Sequence, residues 1–358
     1  MTTDKPNTGC QAPLGAFLAL LLGIGAGAQA GDPAKATADA TVLVIMRSGG
    51  QTRTMTGTYL HRGEGKATVF AVLPAGQPGS LAGLGSRGSF MVAFHKGRLL
   101  AFVKATCIAQ MGRGRWVLLQ ASSQGLPPPP RARTGAPIQT GDQVTLGCYT
   151  VASFQPDARP SPNLQRGVVE SNRRSPDGMT SSATVNREVP ESGAGGPVMD
   201  SKGRLVAFTD RQVSGVAASY TLSLGNVWAF ICEQGLEFSF GYAREADAGW
   251  AVPCRIRVPL PDDVRREVRV GIHELTRALG RTSTPTMVWV EATEAAGVWT
   301  CLLPVTPPEQ QRRRYACQTR LRIPECKPIT SARHKLTINY RPTQPAIKPW
   351  LVPRQVKQ

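Results

Sequence analysis

Between residues 41 and 240 the chain is cut into short β-branched and apolar runs, each closed by a glycine-bearing turn, and helical periodicity is nearly absent. That punctuation constrains the fold most, because such runs satisfy a strand's period of two while the frequent turns interrupt any helix. "TVLVIMRSGG" from Thr41 ends on Gly-Gly; "GTYLHRGEGKATVFAVLP" and "GSFMVAFHKGRLLAFVKATCIA" each read as strand, turn, strand, and "GRWVLLQAS" adds a further apolar strand. Residues 125–137, "GLPPPPRARTGAP", break regular structure, since consecutive prolines lack N–H donors and favour extended backbone. Beyond that linker the pattern resumes with "GDQVTLGCYT", "QRGVVESNRR", "MTSSATVNREV", "GPVMD", "RLVAFTD" and "GVAASYTLSL". Two strand-rich halves of this kind predict barrels or sandwiches. The one helix expected lies in "SLGNVWAFICEQG", with Val227, Phe230 and Ile231 on one face and Gly235 as terminator. After about Phe240 the strands become Arg- and Pro-rich, which predicts a β-sandwich-like C-terminal module over residues 241–342 and an extended tail over 343–358.

The chain has 358 residues, enough for more than one core. Lys5, the apolar stretch "APLGAFLALLLGIGAGAQA" and the small residues Ala28-Gln29-Ala30 form the pattern of a cleavable secretory signal over residues 1–30. Its apolar core falls short of the roughly 20 residues a spanning helix needs. The mature chain is therefore expected to begin at Gly31, to be exported to a periplasmic or extracellular space, and to have no membrane span. Of eight cysteines, Cys10 leaves with the signal and seven remain: Cys107, Cys148, Cys232, Cys254, Cys301, Cys317 and Cys326. An oxidising compartment allows some to pair, the odd number leaves at least one over, and the connectivity stays open. No C-x-x-C doublet supports zinc, and neither metal nor cofactor is expected.

Lys and Arg number 42 against 24 Asp and Glu, a formal charge of +18. A surface so basic attracts polyanions, and export points to anionic envelope polymers instead of a dedicated nucleic-acid partner. The dense run "QRRRY", Gln311 to Tyr315, reads as a solvated loop.

The most specific motif is Pro190-Glu191-Ser192-Gly193-Ala194-Gly195-Gly196-Pro197, followed by the hairpin "VMDSKGRLVAF". It resembles the nucleophile loop of trypsin-like serine proteases, in which glycines curl two N–H groups toward the developing oxyanion. Ala194 stands where that family carries its serine. Residues 31–240 thus resemble a trypsin-like double β-barrel, closest to the bacterial high-temperature-requirement branch, and the fold class expected is all-β. The family's base histidine falls at Ala71 or Val72, its orienting aspartate at Arg115 or Trp116. All three triad positions are substituted, and loss of any one member costs several orders of magnitude in rate. Ser192 occupies a place the family gives to glycine.

A rebuilt site on Ser192 would need a base, and only four histidines exist: His61 and His95 in hairpins, His273 and His334 in the C-terminal module. The resemblance implies an inactive homologue that binds a polypeptide or protein partner around Ser192, Gly193, Ala194, Gly195 and Gly196, walled by a strand near Ser214, Gly215 and Val216. Strand addition needs main-chain hydrogen bonds and no hydroxyl. Two alternatives stay open: a divergent serine endopeptidase with a non-standard triad, and a basic exported module that binds anionic envelope polymers.

Overall fold

Successive residues on the central strands face two different cores, and this fixes the architecture. The computed structural model describes residues 32–48, 51–73, 89–96, 99–111, 115–133, 138–150, 161–174, 180–261, 263–264, 266–275, 286–295, 297–306, 312–323, 328–331 and 333–339. The expected signal and tail lie outside them, as do Cys326 and residues 134–137 of the linker.

The first six strands are β1 (Thr41–Ser48), β2 (Gln51–Gly63), β3 (Lys66–Val72), β4 (Ser89–Lys96), β5 (Leu99–Gln110) and β6 (Trp116–Ser122). The next six are β7 (Gln143–Cys148), β8 (Asn163–Arg174), β9 (Thr180–Val185), β10 (Pro197–Asp200), β11 (Leu205–Gln212) and β12 (Ser219–Ser223). Each set closes into an antiparallel barrel, in the orders β1-β2-β3-β6-β5-β4 and β7-β8-β9-β12-β11-β10. The two orders are the same connectivity used twice, and closure removes the exposed edges of an open sheet.

Alternation along β3 and β6 shows why the barrels belong together. Ala67, Val69, Ala71, Val117 and Leu119 fill the first barrel, while Phe70, Val72 and Leu118 turn outward into a second core shared with Met199 and Phe208 of the other barrel. Val144, Leu146, Cys148, Val185 and Val198 fill the second barrel's own interior. At the junction the Phe70 ring lies 4.9 Å from Phe208 and 6.0 Å from Trp116. Within the linker, Ala132 is bridged to Leu205 in parallel.

Among the described residues two helices accompany the strands. The first, α1 (Pro33–Ala40), was not expected from periodicity. Its local signal is Asp32-Pro33: the Asp32 side chain accepts from the Ala34 N–H, and proline suits the first helical turn. The second, α2 (Leu224–Gln234), matches the expected helix; Ser223 caps it and Val227, Trp228, Phe230 and Ile231 are buried. Among the described residues no helix is long and apolar enough to cross a membrane.

Ten further strands follow: β13 (Glu237–Phe240), β14 (Arg244–Ala246), β15 (Gly249–Arg257), β16 (Glu267–Glu274), β17 (Val288–Glu291), β18 (Thr293–Ala295), β19 (Val298–Pro304), β20 (Arg312–Arg322), β21 (Ile329–Thr330) and β22 (His334–Asn339). They form two antiparallel sheets, β13-β15-β19-β18 with β14 on β15, and β17-β16-β20-β21 with β22 on β20. Their inner residues, among them Phe238, Ile256, Val270 and Leu321, join the same apolar cluster as Phe70, Phe208 and Phe230. The arginine run expected to be a loop instead opens β20, where Arg314 pairs with Thr337 and Tyr315 with Leu336. Alternation explains it: Arg314 is exposed while Tyr315 is buried.

Candidate functional site

The Ala194 loop lies at the junction of the two barrels, and hydrogen bonds account for its shape. Glu191–Gly193 makes one 3₁₀ turn, with the Gly193 N–H donating to the Pro190 carbonyl at 2.8 Å and the Ala194 N–H to Glu191 at 3.2 Å. The Gly195 N–H donates to the Thr209 carbonyl at 2.8 Å, and the Thr209 N–H returns a bond to Gly196 at 2.9 Å. Three buried threonines hold the loop's carbonyls: Thr56 Oγ1 donates to Ser192 (2.7 Å), Thr58 Oγ1 to Gly195 (2.7 Å) and Thr209 Oγ1 to Gly193 (2.6 Å). Thr56 and Thr58 come from β2 of the first barrel, so the loop of one barrel is bonded into the wall of the other.

Gly195 is what permits this approach. Its φ is +87°, and a Cβ there would lie 2.8 Å from the Val72 nitrogen, 2.9 Å from the Thr56 carbonyl oxygen and 3.1 Å from the Ala71 Cα. At Gly196 a Cβ would meet the Gly147 carbonyl, so that position too admits no side chain.

Ala71, Val72, Arg115 and Trp116 all lie beside this loop or one strand away from it. Ala71 and Val72 touch Gly195 as above, and Val72 pairs with Trp116 across the β3–β6 ladder. Arg115 donates from Nε to the Leu73 carbonyl at 2.5 Å, and its guanidinium stands 3.9 Å from the Glu191 carboxylate. Ala71 and Val72 are fully buried aliphatics, Ala194 is 1% exposed, and Trp116 packs edge-on against Phe70 and Phe230.

Ser192 sits on the same loop, with its Oγ donating to the Tyr149 carbonyl at 3.0 Å. A carbonyl is no general base. The His95 ring stacks on the Tyr149 ring at 6.2 Å. His61 is buried at the far end of β2, where its Nε2 would lie 2.9 Å from a Cβ on Gly63. His273 is in β16 and His334 in β22, and burial lowers both their pKa values, for His273 with help from Arg333. The thiol behind the loop, Cys148, has its Sγ 3.6 Å from where a Gly193 Cβ would be, and burial pushes it up to about 11, so it is no thiolate nucleophile at neutral pH.

Ser214, Gly215 and Val216 are not in the strand that flanks the loop. They form the turn after β11, closed by the Val213 N–H donating to Ala218, and Val216 is 53% exposed. The flanking residue is Thr209, five positions earlier, because the hairpin after Pro197 returns to the loop sooner than the resemblance led one to count. Next to it lies Asp210, which the sequence did not single out. Burial raises its pKa, and Arg211 and Arg115 pull it back down. Asp210 has no Cα partner in β12, since the β11–β12 register shifts between Thr209 and Arg211. The threonines were missed as well, although Thr54, Thr56 and Thr58 alternate along β2; that row reads as a solvated face unless a second barrel is known to cover it. Among the described residues no group of three or more His, Cys, Asp or Glu is placed to hold a metal ion.

No family model matches the chain, and no curated protein matches it. Among solved structures it is similar to Rv3671c from M. tuberculosis H37Rv, in the inactive form of a serine-to-alanine mutant, at 18% identity over 59% of this chain and 94% of that one, with a TM-score of 0.40. It is also similar to the serine endoprotease from Yersinia pestis, at 11% identity over 61% of this chain and 72% of that one, with a TM-score of 0.43.

Proposed function

We propose that the chain is an exported, catalytically silent homologue of the trypsin-like two-barrel proteases, and that it binds a polypeptide beside the Ala194 loop. The observation that carries this reading is Ala194 itself: a buried methyl at the nucleophile's place, with its N–H committed to the Glu191 carbonyl. An oxyanion hole needs such N–H groups aimed at the reacting oxygen. Neither a base nor an orienting carboxylate stands at the other two positions.

Binding is supported by what lies next to that loop. Arg115, Glu191, Asp210 and Arg211 place charges of both signs around it. β11 pairs β10 only as far as Phe208, so Asp210 to Gln212 run beyond that ladder on one side, and an extended peptide adds to a sheet along such a stretch. Selection of displayed random peptides on the full chain tests this. The reading predicts enriched sequences whose binding falls at least tenfold in Asp210→Arg. If none enriches, or if the variant binds them equally, the reading fails.

One observation favours a second reading, in which the working surface is basic. On the outer face of the β16–β20 sheet, Arg269, Arg314, Arg320, Arg322 and Lys335 are exposed against Glu267 and Glu291. Arg269 and Arg320 lie directly opposite one another in register, an unfavourable pairing of like charges. Glu291 takes Arg269 at 2.7 Å, and Arg320 stacks 4.1 Å from the Trp289 ring centroid. An anionic envelope polymer would fit there. Its affinity would fall steeply with salt and would weaken in Arg320→Glu; a salt-independent affinity would dismiss it.

A further inference from the structure

The sequence leaves seven cysteines with open connectivity, and the C-terminal sheets bring three of them together. Cys254 on β15 and Cys301 on β19 are direct partners in the antiparallel ladder, and their side chains are hydrogen-bonded to each other. Cys317 on β20, in the other C-terminal sheet, is buried in the same apolar cluster as Cys254, and Cys301 packs against that cluster. Cys254 and Cys317 are fully buried, whereas Cys301 is partly exposed. The other described cysteines, Cys107, Cys148 and Cys232, lie in β5, β7 and α2.

We propose that Cys254 and Cys301 are a disulfide-forming site, and that Cys317 is the thiol left over. Directly opposed residues of an antiparallel pair have Cα atoms about 4.5–5.5 Å apart, inside the roughly 4.4–6.8 Å window that a disulfide spans. Cys317 stands opposite Ile272 and His334 in its own sheet, so no cysteine opposes it in register there. The oxidant is a small disulfide. The Cys301 thiolate, on the partly exposed side, attacks one sulfur of the oxidant, forms a mixed disulfide and releases one thiolate. The Cys254 thiolate then attacks the Cys301 sulfur and displaces the second thiolate. Two protein thiols become one disulfide, the oxidant is reduced to two thiols, and two protons accompany the two electrons.

The environment sets when this occurs. The hydrogen bond to Cys301 and burial raise the Cys254 pKa well above its ordinary value, and burial raises Cys317 to about 12. The buried Cys254 thiolate is therefore scarce in the folded state, so the bridge closes as the two strands pair during folding. It joins two strands 47 positions apart in the chain (301 − 254) and covalently ties β15, which also pairs with β13 and β14, to β19.

Tryptic peptide mapping tests the assignment. The full chain is refolded in a mixture of reduced and oxidised glutathione, quenched with acid, alkylated in denaturant and digested without reduction; cleavage at Arg255 and Arg269 separates the two cysteines. The expected result is a Cys254 peptide linked to a Cys301 peptide, with Cys317 alkylated. Cys317→Ser should keep that link, and Cys254→Ser should lose it. Cys254 and Cys301 both recovered alkylated, or Cys301 linked to Cys317 in the natural chain, would overturn the proposal.

Discussion

If the Ala194 loop is a joint between barrels, a single methyl at Gly195 should be among the costliest small changes in the protein. Gly195→Ala places a Cβ against three backbone atoms, the nearest 2.8 Å away, and none of them belongs to a flexible side chain. The φ of +87° adds a conformational penalty for any L-residue. That penalty is about 1–2 kcal/mol, and forcing packed backbone apart costs about 1–3 kcal/mol more. Together they give about 2–5 kcal/mol. The control is Gly215→Ala, at φ +79° with nothing within 4 Å of the new Cβ, where the conformational penalty acts without a clash. Urea unfolding of both variants, read as midpoint shifts at unchanged slope, should separate them by the packing contribution. A Gly195→Ala loss no larger than that of Gly215→Ala would refute the close inter-barrel contact.

Thr209→Val removes the hydroxyl that holds the Gly193 carbonyl and accepts from the Gly196 N–H. With both groups buried, the same unfolding assay should show a loss of about 1–3 kcal/mol. Asp210→Asn should be more stable than the natural chain at neutral pH, because burial raises the native carboxyl's pKa. A raised folded pKa gives stability that is present at low pH and lost as pH rises through it, so the variant's advantage should shrink as the pH falls through the carboxylate range. For His334 the sign is opposite. Burial against the Phe238 ring, 4.3 Å away, lowers its pKa, so stability present above about pH 6.5 is lost as the pH falls through the folded value. Amide protection in β20 and β22, taken relative to the intrinsic exchange rate at each pH, should fall on acidification, and less so in His334→Gln.

The all-β character and most strand pairs were legible because period-two runs and glycine turns report directly on local backbone. "GTYLHRGEGKATVFAV" gave β2 and β3, and "FMVAFHKGRLLAF" gave β4 and β5. The joining of the barrels was not legible, since nothing local says that Phe70 and Phe208 turn away from their own barrels to meet each other. For the same reason nothing in the sequence singled out Thr56, Thr58 or Asp210, whose roles depend on the other barrel. The helix α1 was hidden behind Asp32-Pro33, read as the residues after a cleavage site, and its eight residues are too few to show a period. The positions of Ala71, Val72, Arg115, Trp116 and Ala194 were inferred from spacing along flanking strands, and these residues meet in space because those strands pair in register. Ser214 to Val216 were misplaced because a count along a hairpin carries over every difference in its length.

The central claim is catalytic silence, and labelling tests it most directly. The full chain and its Ala194→Ser variant are exposed to a fluorophosphonate serine probe, and each is incubated overnight with casein. The account predicts no labelling and no digestion by the natural chain. It predicts none by the variant either, because a restored hydroxyl would still face Ala71, Val72 and Arg115 with no base to take its proton. Labelling of the natural chain at Ser192 or any other serine, together with casein turnover, would contradict it.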